Sequence, residues 1–137
     1  METTLVLIKP SAVARGLVGD VTRRFEARGL RIYGMKLLKP DKALIEKHYA
    51  EHKGKAFFDG VCAYLASGPL VAMAIGGENA VKAVRATMGA TDPADAAPGT
   101  IRGDFGLQMD DNIGHSSSDP EAAARELALW FPEGLCR

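Results

Sequence analysis

The chain is 137 residues long, 47% of them hydrophobic, with 17 basic and 17 acidic side chains that cancel at neutral pH. That size suits one domain around one core, and the charge balance gives no long-range pull toward nucleic acid or an anionic membrane, so any anion site has to be local. Cys62 and Cys136 allow at most one bridge and form no CxxC pair, METTLVLIKP lacks a signal-like n-region, and no apolar run can span a bilayer, so we expect a soluble cytoplasmic protein without a disulfide framework or zinc ribbon.

In chain order, Thr3 to Ile8 is β-branched and aliphatic and ends at Lys9-Pro10. This predicts a buried strand with Lys9 as its last, exposed side chain and a new element from Ser11. Val18, Val21 and Phe25 recur at helical spacing, and Gly19 to Gly29 reads as an amphipathic helix closed by a glycine stop. Leu30 to Leu38 is a second strand. Asp41 is an N-cap for a short helix containing Leu44, Ile45 and Tyr49. Gly54-Lys55 separates it from a helix over Ala56 to Ala66 that presents Phe57, Val61, Cys62 and Leu65.

Leu70 to Ile75 is a third strand, and Glu78 to Met88, with Val81, Val84 and Arg85, a further helix. Thr91 to Gly103 has no period and carries Pro93, Pro98, Gly99 and Gly103, so it reads as a long ordered loop of a kind that often carries function. After a short strand, Asp119-Pro120-Glu121 supplies an N-cap, an N1 proline and an early acid for a closing helix through Leu127, Leu129 and Trp130. This order is compatible with a split βαβ sheet covered by helices.

The chemistry concentrates between Arg102 and Asp119, RGDFGLQMDDNIGHSSSD, where His115 follows Asn112-Ile113-Gly114 and precedes a helix start. Imidazole is partly unprotonated near neutral pH and can accept and return a phosphoryl group, so His115 is a candidate nucleophile. Glu126 lies two turns into the next helix, from where it can reach back to the ring and fix which nitrogen carries the proton. Asn112 can hold a ribose or phosphate oxygen. No GxxxxGK[ST] or GxGxxG occurs, so phosphate would have to be held by separate side chains: Lys9, Arg85, Thr91 and Arg102. A competing pattern is His48-Tyr49-Ala50-Glu51-His52, the H-x-x-E-H of one class of zinc proteases, although no third ligand is evident.

The chain resembles the nucleoside diphosphate kinases along essentially its whole length. The segments that carry the resemblance are LVLIKP (Leu5 to Pro10), ARGLVGDVTRRFEARG (Ala14 to Gly29), EKHYAEHKGKAFF (Glu46 to Phe58), SGPLVAM (Ser67 to Met73), GATDPADAAPGTIRGDF (Gly89 to Phe105), NIGHSSSD (Asn112 to Asp119) and ELALWF (Glu126 to Phe131). It implies an α+β fold, a ferredoxin-like βαββαβ sandwich with an antiparallel four-stranded sheet. It also implies a ping-pong exchange in which His115 Nδ1 takes the terminal phosphoryl group of a Mg2+-bound nucleoside triphosphate and a nucleoside diphosphate then collects it.

By the same resemblance, Glu126 would face the other ring nitrogen and Ser117 would bond near the phosphohistidine. Lys9, Tyr49, Arg85, Thr91, Arg102 and Asn112 would surround phosphates and sugar, with Phe57 stacked on the base. Mg2+ would be held by the nucleotide phosphates, with no protein ligand. Weak selectivity among bases follows, since every base has a π-face. Homo-oligomers, tetramers or hexamers, are implied, with the loop from Thr91 and the tail Pro132 to Arg137 near subunit contacts.

The chain departs from the family in two places. Ser11 stands where the pattern has Asp after Lys-Pro, and His115-Ser116-Ser117-Ser118-Asp119 replaces His-Gly-Ser-Asp or His-Ala-Ser-Asp, so Ser118 takes the usual Asp position. That serine cluster leaves a second reading open, a weakly active or inactive relative acting as a nucleotide-binding or protein-interaction module.

Overall fold

Leu5, Val6, Leu7 and Ile8 are all fully buried, so the strand that carries them, β1 (Glu2–Ile8), needs cover on both faces and a central place in its sheet. The computed structural model, which describes residues 1–137, puts it there. With β2 (Arg31–Leu38), β3 (Leu70–Gly77) and β4 (Gly114–Ser116) it forms one sheet in the order β2-β3-β1-β4, every pairing antiparallel. This is the expected α+β, ferredoxin-like arrangement.

Seven α-helices cover the sheet: α1 (Pro10–Ala14), α2 (Val18–Ala27), α3 (Lys42–His48), α4 (Phe58–Leu65), α5 (Ala80–Met88), α6 (Ile101–Phe105) and α7 (Pro120–Trp130). The pleat sends alternate residues of β1 to opposite faces. Val6 and Ile8 join Val21, Phe25, Met73, Ile75 and Val84 beneath α2 and α5. Leu5 and Leu7 join Ile45, Leu65, Ala72, Ala74 and Trp130 beneath α3, α4 and α7. Each large side chain so buried contributes about 1.5–3 kcal/mol.

Local signals hold at several ends. Asp41 accepts from Leu44 N at 2.8 Å and Asp119 from Ala122 N at 2.8 Å, so both expected caps form. Other expectations need correction. The stretch from Thr91 to Gly103 is not structureless: a 3-10 turn spans Pro93–Asp95, and α6 begins at Ile101 with Thr100 accepting from Gly103 N. Five helical residues are too few to show an apolar period. Tyr49 caps the C-terminus of α3 instead of lying inside it, and Phe57 precedes α4. Lys9 is half-buried where an exposed side chain is expected, because its ammonium turns inward to Asn112.

Candidate active site

His115 sits on β4 opposite Leu7 of β1, so it shares Leu7's face of the sheet and looks toward α3 and α7. A tight turn aims it. Gly114 N donates to Asn112 O at 2.8 Å across Ile113, whose φ of 73° gives a γ-turn with positive φ at a β-branched residue. Such a conformation costs about 1–3 kcal/mol and persists only when its surroundings over-determine it.

Here they do. Lys9 N donates to Ile113 O at 2.9 Å, and the Arg102 guanidinium donates to the carbonyls of Asn112, Gly114 and Gly89 at 3.0, 2.7 and 3.0 Å. Gly114 is required by close approach, since a Cβ there would run into the Leu7 carbonyl oxygen.

His115 Nε2 lies 2.9 Å from Glu126 Oε1, and the same oxygen accepts from Ser117 Oγ at 2.8 Å. Burial pushes the Glu126 carboxyl up, but the hydrogen bonds from His115 and Ser117 and the charge of a protonated His115 outweigh it and hold the group below the usual carboxylate range. An ionised carboxylate only accepts, so Nε2 carries the proton and a neutral His115 has its lone pair on Nδ1. Ser117, fully buried, accepts from Leu5 N at 3.2 Å and so ties Glu126 to β1. Its hydroxyl acts on His115 through Glu126.

Beside them stands His48, which the sequence singled out only as part of the zinc-protease pattern. Trp130 Nε1 donates to its Nδ1 at 3.0 Å, which puts its own proton on Nε2. The His48 ring meets the His115 and Tyr49 rings edge-on, each at 4.6 Å between centroids. Burial, reinforced by the His115 charge, lowers its pKa to about 3, so it is neutral at any working pH. Tyr49 is held above the ordinary phenol range by burial and by the charge of Glu126.

The zinc-protease pattern does not assemble. α3 ends at His48, and His52 falls on a following 3-10 turn, Ala50–His52, with its ring 5.3 Å from Phe57. The two histidines therefore do not share a helix face. His48, His115 and Glu126 do bring ligating atoms within 4.8 Å of one another, but His48 Nδ1 and Glu126 are already committed to the hydrogen bonds above.

Positive charge collects above His115. Lys9 Nζ donates to Asn112 Oδ1 at 2.7 Å. Burial and the neighbouring Arg102 charge lower its pKa to about 8, with Asp111 opposing. Arg102 is lowered to about 10 by burial and by Arg85, and so stays charged at neutral pH. Arg85 Nη1 reaches Ser116 O at 3.5 Å.

Asn112 Nδ2 donates to the Thr91 carbonyl at 3.0 Å, so the amide expected to serve sugar or phosphate already braces Lys9 and the loop. One donor and one acceptor position remain on it. Phe57 is 51% exposed with its ring 5.3 Å from that of His52, whereas Phe58 is core.

The altered positions have defined places. Ser116 is buried, Ser118 is exposed, and Asp119 caps α7. Ser11 Oγ lies 2.5 Å from both Tyr64 OH and Asp111 Oδ1. His48, Trp130, Tyr64 and Asp111 are the polar groups of the site that sequence reasoning passed over or misread.

A family model described as "Nucleoside diphosphate kinase" matches residues 2–135. The chain is 52% identical over 133 residues to the nucleoside diphosphate kinase of Thermomicrobium roseum, covering 97% of this chain and 89% of that protein. Among solved structures, a nucleoside diphosphate kinase family protein from Babesia bovis superposes with a TM-score of 0.97 at 45% identity, covering 100% of this chain and 93% of that one. The Halobacterium salinarum nucleoside diphosphate kinase in complex with CDP superposes with a TM-score of 0.96 at 47% identity, covering 99% and 91%.

Proposed function

The chain belongs to the nucleoside diphosphate kinase family, and we propose that it performs the family's reaction, transfer of a terminal phosphoryl group between nucleoside tri- and diphosphates, in two half-reactions through His115. The observation that carries this reading is the Nε2–H bond to Glu126, which leaves the Nδ1 lone pair as the nucleophile. In the first half-reaction Nδ1 attacks the γ-phosphorus. The N–P bond forms as the bond to the β,γ-bridging oxygen breaks, and the diphosphate leaves with that electron pair. The ring then carries phosphoryl on Nδ1 and a proton on Nε2, a cation that faces the Glu126 carboxylate. A terminal oxygen of the second diphosphate attacks the same phosphorus and reverses the step.

Phosphoryl transfer asks chiefly for alignment and for positive charge around the equatorial oxygens. Lys9, Arg85 and Arg102 supply that charge in this reading, with Tyr49, Thr91 and Asn112 as polar contacts. Ser117 positions Glu126. Phe57 offers its exposed ring to the base, which predicts low base selectivity. Mg2+ fits the same reading as a companion of the nucleotide: Glu126, the carboxylate beside His115, already accepts two hydrogen bonds, so the ion would ride on the phosphates and offset their charge there.

The proposal extends to the whole chain acting as one domain, supported by two cores that share a single sheet, and to a homo-oligomer. Leu37 on the edge strand β2 and Leu107 after α6 are 64% and 81% exposed, apolar surface that suits subunit contacts. We place it in the cytoplasm: both thiols are free, and no helix is long and apolar enough to cross a membrane.

Intact mass after mixing with MgATP and then GDP tests the chemistry. The expected result is one acid-labile phosphoryl adduct, absent in His115→Ala and discharged to form GTP. Bound nucleotide with no adduct and no GTP would refute the reading and leave a binding module.

A further inference from the structure

Lys9 is a half-buried ammonium that shares its pocket with the Arg102 guanidinium, and two cations drawn together out of water need an anion close by. The position after Lys9-Pro10 is a serine, so the local sequence supplies none. The fold brings one from 100 residues away. Asp111, at the end of the 3-10 turn Met109–Asp111, places Oδ1 2.5 Å from Ser11 Oγ, and Tyr64 OH of α4 lies 2.5 Å from the same serine oxygen.

The direction of these bonds is fixed. A carboxylate cannot donate, so the single Ser11 proton goes to Asp111, and Tyr64 must therefore donate to Ser11. The result is a relay, Tyr64 O–H to Ser11 Oγ and Ser11 O–H to Asp111, which anchors from three separate elements the carboxylate that immediately precedes Asn112, the acceptor of Lys9 Nζ.

We propose that Asp111, anchored by Ser11 and Tyr64, is a positioning residue of this chain: it is the resident counter-ion that keeps Lys9 charged and aimed before nucleotide phosphate arrives. The inference rests on the reading of Lys9 as a phosphate ligand. The groups bearing on Lys9 are Arg102 from α6, which disfavours its charge, Asp111, which favours it, the Asn112 amide oxygen that accepts from it, and the neutral ring of His48 from α3. Asp111 is the one anion among them.

The sign follows. With Lys9 near 8, removing Asp111 lowers it further, so a larger share of the enzyme enters neutral pH with an uncharged Lys9. Asp111→Asn keeps an acceptor for Ser11 and removes only the charge.

The test reads Lys9 directly. The side-chain 13Cε resonance of Lys9, assigned by its absence in Lys9→Gln, is titrated in the full-length protein, in Asp111→Asn and in Ser11→Asp/Asp111→Asn. Alongside, the alkaline limb of kcat/KM is recorded for every variant that turns over. The expected result is a downward shift in Asp111→Asn on the order of half a pH unit or more, in both the resonance and the limb. Recovery is expected in the double variant, where the carboxylate returns from the Ser11 side.

An unmoved Lys9 titration in Asp111→Asn overturns the proposal. A Lys9→Gln enzyme with undiminished kcat/KM instead overturns the reading of Lys9 itself, and the two failures are separable because the first is seen without turnover.

Discussion

The neutrality of His48 has a measurable consequence for stability. In the unfolded chain its pKa returns to the ordinary 6.5, while in the folded protein it is lowered to about 3. Between those values the unfolded state binds a proton that the folded state refuses, so stability is full above 6.5 and falls as the pH drops below it. At pH 5 the folded side chain is still neutral, so the loss is set almost wholly by the unfolded value. For one group this comes to about 2 kcal/mol relative to pH 8.

The depressed carboxyl Glu126 adds to acid loss only as pH falls below its usual range, and so contributes little at pH 5. His48→Gln keeps an acceptor for Trp130 Nε1 and removes the titration. Urea unfolding at pH 8 and pH 5, at fixed protomer concentration, should show the wild type losing about 2 kcal/mol more than the variant. Equal losses in the two proteins would show that His48 is not held neutral by the fold.

Three further outcomes follow from the geometry. Glu126→Gln retains an acceptor for Ser117 and His115 but removes the charge that would face a phosphorylated ring in the proposed reaction. It should lower kcat by about tenfold to a hundredfold with nucleotide binding little changed, measured by steady-state rates and calorimetry; a matching loss of affinity would mean that Glu126 acts on the nucleotide instead. Phe57→Ala should raise KM for purine and pyrimidine diphosphates alike, by about tenfold for a half-exposed stacking platform, and a loss confined to one base would contradict stacking. Gly114→Ala drives a methyl group into the Leu7 carbonyl oxygen and should destabilise the protein by about 1–3 kcal/mol in urea, with activity falling in step; an unchanged midpoint would mean that the β1–β4 approach is looser than described.

Much of this was legible in the chain because local rules dominated there. The strands announced themselves as short β-branched and aliphatic runs, and the caps Asp41 and Asp119 marked their helices because each bonds a backbone amide three residues on. His115 and Glu126 could be paired from spacing alone, since one strand, one turn and two helical turns fix their approach. What escaped was set by distance in sequence. The tautomer of His48 is set by Trp130, 82 residues later, so a pattern confined to residues 48–52 suggested a metal ligand where the fold makes an aromatic brace. The short helix α6 escaped for another reason: its five residues form through the Thr100 cap and the use of Arg102 as a clamp, neither of which leaves a period.

Arg102 shows why charge alone was an incomplete guide. Counted as a cation near the nucleophile, it reads as a phosphate ligand. In the structure three of its N–H groups hold the carbonyls of Gly89, Asn112 and Gly114, and so oppose the strain at Ile113 that points His115 at its target. On the proposed reading the two uses do not compete. A guanidinium has five N–H donors, so two remain for an incoming anion, and the charge persists at neutral pH because burial lowers its pKa only to about 10. Lysine, with a point charge and no rigid fork, could supply the field but not the clamp. In the proposed reaction the same side chain would join alignment of His115 to stabilisation of the phosphoryl charge, and each would depend on the other being in register.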